Sequence, residues 1–342
     1  MNTRVIIIAE AGVNHNGNFE NAKKLISTAA QAGADYVKFQ TFKADKLVTK
    51  GAKKADYQIT NSKETGDTQY NMLKSLEMSE EWHHQLINYA DECGIKFLST
   101  GFDEESIDFL DSLKIDMYKI PSGEITNRPY LEHIAKKRKP IVISTGMANL
   151  QEIKDAIEII ENHNINRNSI IVLHCNTEYP TPMQDVNLHA MITIKKELGV
   201  NIGYSDHTLG IEVPIAAVAM GAVLIEKHFT LDRNMDGPDH MASLTPEELK
   251  QMVSSIRNIE LAISGNGVKE PSLSELKNIV IARKSIHIRN NIKAGHILKF
   301  NDLIMKRPGD GISPMDVYKI VGKKILTDLN KEDKLNIKDI SI

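Results

Sequence analysis

Residues 201–208, NIGYSDHT, compress a short strand, a hydroxyl, a carboxylate and an imidazole into one stretch. Residues 223–230, VLIEKHFT, do the same. A strand that merely crosses a core ends apolar or turns out through Gly or Pro. These two end in Ser205-Asp206-His207 and Glu226-Lys227-His228, so each reads as a strand whose carboxyl end carries charge and metal-capable side chains.

Upstream, the chain alternates short β-branched runs with longer amphipathic ones as far as Gly265. The runs 5–9, 36–39, 96–98, 117–120, 141–143, 170–173, 201–204 and 223–225 read as strands. Helical patterns lie between them, at 21–32, 150–162 and 246–263 among others, with Gly33, Gly94 and Gly199 placed to stop helices. Eight such units in a chain of 342 residues point to an α/β fold, a closed (β/α)8 TIM barrel rather than an open doubly wound sheet. Residues 43–78 are polar, Lys-rich and long, and read as an extended loop after the second strand. The barrel is expected over residues 1–265 and a linker over 266–280. Residues 281–342 are expected to form a small domain of short strands and turns.

Composition narrows the functional classes. A net charge of -3 with 5% aromatic residues offers neither a basic stripe nor a stacking platform, so no nucleic-acid partner is expected. No run approaches a membrane span, and the apolar run near the N-terminus is too short for a signal peptide. Cys93 and Cys175 have no disulfide or zinc spacing. The expected location is cytoplasmic, without a membrane partner.

The functional signal lies at the carboxyl end of each strand. Barrel enzymes build their sites there, from several strands at once. Here those ends bear Glu10, then Lys38, then Thr100, then Lys119, Ser122 and Glu124, then Ser144, then Asn176 and Tyr179, before the two strands quoted above. Adjacent strands lie about 5 Å apart, so His207 and His228 can converge on one ion. Water or substrate oxygens would complete an octahedral site suited to Mn2+ or Mg2+. Lys38 and Lys119, flanked by apolar residues, must snorkel or pair with an anion. With Ser122, Ser144 and Ser205 they suit a phosphate or a carboxylate. Glu10 and Glu124 suit proton transfer or a polyol, or else they are rim carboxylates paired to those same lysines.

The segments IAEAGVNHNG (8–17), VKFQTFKADKL (37–47), YKIPSGEITN (118–127), ISTGM (143–147), LHCNTEYPTP (173–182), GYSDHT (203–208), IEKHFTLD (225–232) and GPDH (237–240) together resemble the sialic acid synthase family. KRPGDGISP (306–314) resembles that family's C-terminal antifreeze-like (SAF) domain. The resemblance implies condensation of phosphoenolpyruvate with an N-acetylated hexose, with loss of phosphate by C–O cleavage. It implies phosphoenolpyruvate contacts at Lys38, Thr100, Lys119, Ser122, Ser144, Asn176 and Ser205, and sugar contacts at Glu10, Glu124, Tyr179 and Asp239. Lys119, Glu10 and Glu124 are the expected catalytic groups. His207 and His228 are the implied ligands of a divalent metal, with Mn2+ first and Mg2+ or Co2+ as alternatives. Arg307 is expected to reach the sugar from the other subunit of a domain-swapped homodimer. Thr100 is followed by Gly101 where the family pattern has proline, which bears on the placement of Thr100.

N-acetylmannosamine, giving N-acetylneuraminate, is the first expected sugar. A 2,4-diacetamido-2,4,6-trideoxy hexose giving N,N'-diacetyllegionaminate is the alternative. A Schiff-base aldolase using Lys119 or Lys227, and an ice- or ligand-binding role for the tail, are the competing classes.

Overall fold

Val, Ile and Leu crowd the runs at 5–9, 141–143 and 170–173 because parallel strands in an α/β barrel are covered on both faces. The computed structural model describes residues 4–55, 58–59 and 68–341. It divides into two compact units, Met1–Ser264 and Gly265–Ile342.

Among the described residues, the first unit holds eight strands: β1 (Ile6–Gly12), β2 (Tyr36–Thr41), β3 (Lys96–Gly101), β4 (Tyr118–Ile120), β5 (Ile141–Ser144), β6 (Ile170–His174), β7 (Asn201–Asp206) and β8 (Leu224–His228). Their order is β3-β2-β1-β8-β7-β6-β5-β4, and every ladder in it is parallel. The two end strands, β3 and β4, lie beside each other, so the sheet curls into a nearly closed barrel. A long helix follows each strand in turn: α1 (Phe19–Ala32), α2 (Glu80–Cys93), α3 (Glu104–Ser112), α4 (Arg128–Ala135), α5 (Leu150–Glu161), α6 (His189–Leu198), α7 (Glu212–Ala219) and α8 (Pro246–Ala262).

Local chemistry sets these boundaries. Asn18, Ser79, Asp103, Asn149 and Thr245 cap helix N-termini with side-chain oxygens, each cap worth about 1 kcal/mol. Gly33, Gly94 and Gly199 end α1, α2 and α6 in the left-handed conformation, at φ of 85°, 72° and 63°. Gly203 is required for a different reason. A Cβ there would stand 2.4 Å from the Leu224 carbonyl oxygen and 2.5 Å from Leu173 Cδ2.

Most strands run two or three residues past their apolar stretches. β1 continues through Glu10, β3 through Thr100, β7 through Asp206 and β8 through His228. The backbone ladder does not depend on the side chains, so it carries these polar residues into the barrel mouth. Residues 43–78 are not simply a loop. Short helices Ala44–Leu47 and Gln69–Ser75 gather Val13, Phe42, Ala44, Leu73 and Leu76 into a satellite core. Within that segment, residues 56–57 and 60–67 lie outside the described residues.

In the second unit, Leu273–Ala282 is helical where the sequence reads as linker, because Ser272 and Glu275 form a capping box. Beyond it, β9 (Ser285–Ile288) and β10 (Leu303–Lys306) pair antiparallel over a core of Ile286, Ile288, Leu298, Leu303, Ile325 and Leu335. No helix among the described residues is long and apolar enough to cross a membrane.

Two histidines away from the barrel mouth make stability pH-dependent. Burial pulls His15 and His240 down to about 4 from 6.5. Below pH 6.5 the unfolded chain gains protons that the folded chain refuses, so their contribution is whole above that pH and is lost on the way down to 4. At pH 5 the loss is about 2 kcal/mol per imidazole. His15→Gln keeps an acceptor for the Gly17 N–H, which His15 Nδ1 accepts at 3.1 Å. Urea unfolding of this variant should show a pH 7.5-to-5 stability loss about 2 kcal/mol smaller than wild type. An equal loss would mean that His15 does not titrate this way.

Candidate active site

Period-2 alternation places every second residue of a strand end in the barrel mouth. Glu10, Lys38, Gln40, Thr100, Lys119 and Ser144 enter from β1 to β5. Ser205 enters from β7, Glu226 and His228 from β8, and His207 from just beyond β7. Ser122 and Tyr179 come from the loops after β4 and β6. They line one cavity of about 420 Å3.

Its floor is a buried charge network. Lys38 Nζ stands 2.6 Å from Glu10 Oε2 and 3.5 Å from Glu226 Oε2, and it donates to Thr100 Oγ1 at 2.9 Å. Lys119 Nζ stands 3.2 Å from Glu226 Oε1, which also accepts from Ser205 Oγ at 2.8 Å. Burial pushes Glu10 up to about 7 against the pull of Lys38. Burial pushes Glu226 up as well, but Lys119 and Lys38 overcome it and hold that carboxyl well below the usual range. For Lys38, burial favours the neutral amine, yet Glu10 and Glu226 together keep it above its ordinary value. Two neighbouring carboxyls are thus driven apart, one fixed as an anion and one titrating near neutrality. With Glu10 protonated, two ammonium groups face a single carboxylate, and the cavity draws anions.

Above this floor, Tyr179 stacks on His207 with ring centroids 4.0 Å apart, and the His207 and His228 rings are 5.5 Å apart. His207 Nδ1 meets the Asn176 carbonyl, and its Nε2 lies 2.9 Å from the Tyr179 hydroxyl. A proton on Nδ1 leaves Nε2 as the lone-pair nitrogen. Burial pulls His207 down to about 4 and His228 well below its ordinary value, so both are neutral imidazoles, the form that ligates metals. His228 Nδ1 is buried without a hydrogen-bond partner among the described residues, and Asp239 Oδ2 lies 3.8 Å away. Burial also pushes Asp239 up to about 6. An orphaned imidazole nitrogen beside a buried carboxyl that has no close cation among the described residues fits a divalent ion. Among the described residues no His, Cys, Asp or Glu group of three or more is preassembled to hold one, which leaves further positions to water or substrate oxygens.

Some expected residues fall elsewhere. Glu124 closes the 3-10 turn Ser122–Glu124, accepts from Asn127 Nδ2 at 2.6 Å, and is not among the cavity-lining residues. Successive residues of such a turn are about 120° apart, so Ser122 and Glu124 cannot share a direction. Asn176 also stays off the lining, its Oδ1 accepting from the Glu178 N–H at 2.8 Å. Asp239 is buried beside His228 rather than exposed in the cavity. Arg307 lies in the second unit, its Nε donating to the Ala282 carbonyl at 2.9 Å. Gly101 leaves Thr100 in place. A Cβ there would stand 3.2 Å from the Ile107 nitrogen, so glycine fits where α3 begins close by.

Lys227 cannot serve as a Schiff-base nucleophile in the cavity. Burial lowers its pKa, which would suit that role, but the ammonium faces away from the mouth and is bound to Asp206 and the Thr208 carbonyl. Conversely, Glu226, Gln40 and Thr177 line the cavity and were not singled out as site residues from sequence. Glu226 and Gln40 stand two residues from His228 and Lys38, so strand alternation could have found them.

These features define a (β/α)8 barrel whose charged cavity opens at the carboxyl ends of its strands. The chain belongs to the NeuB family, whose model matches residues 25–269, and an SAF domain matches residues 283–339. It is 52% identical to the N,N'-diacetyllegionaminic acid synthase of Legionella pneumophila, over 95% of this chain and 91% of that one. It is 51% identical to the Campylobacter jejuni protein of the same name, over 97% and 98%. Among solved structures it resembles an N-acetylneuraminic acid (sialic acid) synthetase from Leptospira borgpetersenii in complex with citrate. That match has a TM-score of 0.70 at 33% identity, over 81% of this chain and 90% of that one.

Proposed function

We propose that the chain condenses phosphoenolpyruvate with open-chain 2,4-diacetamido-2,4,6-trideoxymannose and water, giving N,N'-diacetyllegionaminate and phosphate. The observation that carries the reaction class is the convergence of Lys38, Lys119 and Ser205 on one buried carboxylate, Glu226, in the mouth of a NeuB-family barrel. The relatives support this choice of sugar. The two at 52% and 51% identity are named for legionaminate, whereas the solved sialic acid synthetase stands at 33%. This reading replaces N-acetylmannosamine, the first expectation from sequence.

Lys38 and Lys119 hold the phosphate and carboxylate of phosphoenolpyruvate, with hydroxyls from Thr100, Ser122, Ser144 and Ser205 around them. The enol carbon attacks the aldehyde carbon, and water adds at the carbon bearing the phosphate ester. The tetrahedral intermediate then loses phosphate through its C–O bond. The new hydroxyl needs a proton and the attacking water must release one. Glu10, titrating near 7, serves both needs, which places it ahead of Glu124 as the proton-transfer group. His207 and His228 would hold Mn2+, or Mg2+ or Co2+, and the ion would supply Lewis-acid polarisation of the aldehyde oxygen. Arg307 is assigned to the sugar of a second copy in a domain-swapped homodimer, so Arg307→Ala should raise the sugar KM far more than the phosphoenolpyruvate KM.

The test is phosphate release with phosphoenolpyruvate and each of the two sugars. The diacetamido sugar should give the higher kcat/KM by at least about tenfold, since a pocket that binds an acetamido group leaves polar atoms unpaired against a hydroxyl. Preference for N-acetylmannosamine would overturn the assignment. Borohydride with pyruvate should trap no adduct on Lys119.

A further inference from the structure

Asp206 and Lys227 sit between the residues that form the cavity, yet neither reaches it. Both side chains are 0% exposed, with Lys227 Nζ 2.5 Å from Asp206 Oδ2. They are paired across β7 and β8, one register position from the pair Ser205 and Glu226. Strand alternation therefore puts this ion pair on the outer face of the barrel wall, opposite Ser205, Glu226 and His228.

The pair also ties down the chain just past β7. The Thr208 N–H donates to Asp206 Oδ1 at 3.0 Å, and its hydroxyl donates to Asp206 Oδ2 at 3.1 Å. Lys227 Nζ donates to the Thr208 carbonyl at 2.5 Å. His207 is thus bracketed. The residue before it and the residue after it are bonded to each other, and both are bonded to β8 one residue short of His228. A buried ion pair adds little stability over apolar residues of equal volume, and its best-attested use is to fix a register.

We infer that the Asp206–Lys227–Thr208 ring is a positioning device that sets His207 against His228. The inference rests on the proposed cation-holding role of those histidines. Asp206→Leu/Lys227→Met removes both charges together and leaves none buried alone. Thr208→Val removes only the hydroxyl donor and serves should the double variant fail to fold. Two readouts are needed: Mn2+ affinity, from free Mn2+ in an EPR titration, and the His207 ring resonance of histidine-labelled protein, with His15 as a buried control.

The double variant should melt near wild type, bind Mn2+ about 10- to 100-fold more weakly, and shift or broaden His207 while His15 stays. Thr208→Val should move both readouts less, in the same direction. A folded double variant with wild-type Mn2+ affinity and an unmoved His207 overturns the inference, as does an unmoved Thr208→Val if the double variant does not fold. If the wild-type protein takes up no Mn2+, the cation reading fails, and the His207 resonance alone decides the positioning role.

Discussion

Lys38→Met should lower kcat/KM for phosphoenolpyruvate by about 10^3-fold, at the upper end of what loss of one preorganised donor costs. Among the described residues, Lys38 is the only ammonium in contact with both carboxylates of the cavity floor, at 2.6 Å from Glu10 and 3.5 Å from Glu226. Its loss removes a cation from the anion site and sets Glu10 against Glu226 without a charge between them. Breaking such a buried pair costs about 3–5 kcal/mol of stability, so the variant should also melt earlier. The two effects separate in Glu10→Gln/Lys38→Met, where no unpaired charge remains at Glu10 and Lys119 still holds Glu226. That double variant should recover most of the lost stability but not phosphoenolpyruvate binding, read by direct titration because Glu10→Gln alone already removes the assigned proton-transfer group. Recovery of both would make Lys38 a structural partner of Glu10, the plainer of the readings open from sequence.

His228→Ala should have the next largest effect. On the proposed Mn2+ site of His207 and His228, loss of one imidazole should weaken metal binding by at least about 100-fold, more than loss of a supporting residue does. Chelation should abolish wild-type phosphate release and Mn2+ should restore it, whereas His228→Ala should need millimolar-range additions to recover a fraction. Wild-type turnover that survives exhaustive chelation would remove the metal from the mechanism and leave the orphaned His228 Nδ1 to another ligand.

Much of the fold and site is legible in the chain, and the gaps have physical causes. Eight strands can be read because barrel strands covered on both faces must be β-branched and apolar. Their ends read short because the ladder continues through residues such as Glu10 and Asp206 that no hydropathy pattern marks as strand. Glu226 goes unassigned for the same reason, although its two-residue spacing from His228 encodes a shared face. Glu124 carries a motif but not a direction, and the 3-10 turn it closes is not visible in SGE. The helix Leu273–Ala282 is signalled by Ser272 and Glu275, yet the surrounding glycines and proline outweigh that signal. The Asp206–Lys227 pair can be found only from the register of two strands.

Consumption of phosphoenolpyruvate in this cavity by cleavage of its C–O bond is the step on which the proposed function rests. Phosphoenolpyruvate carrying 18O in the bridging position, turned over with the diacetamido sugar, tests this directly by mass spectrometry of the released phosphate. The label should leave with phosphate. Unlabelled phosphate, which would mean P–O cleavage, or no phosphate at all, would contradict the proposed reaction.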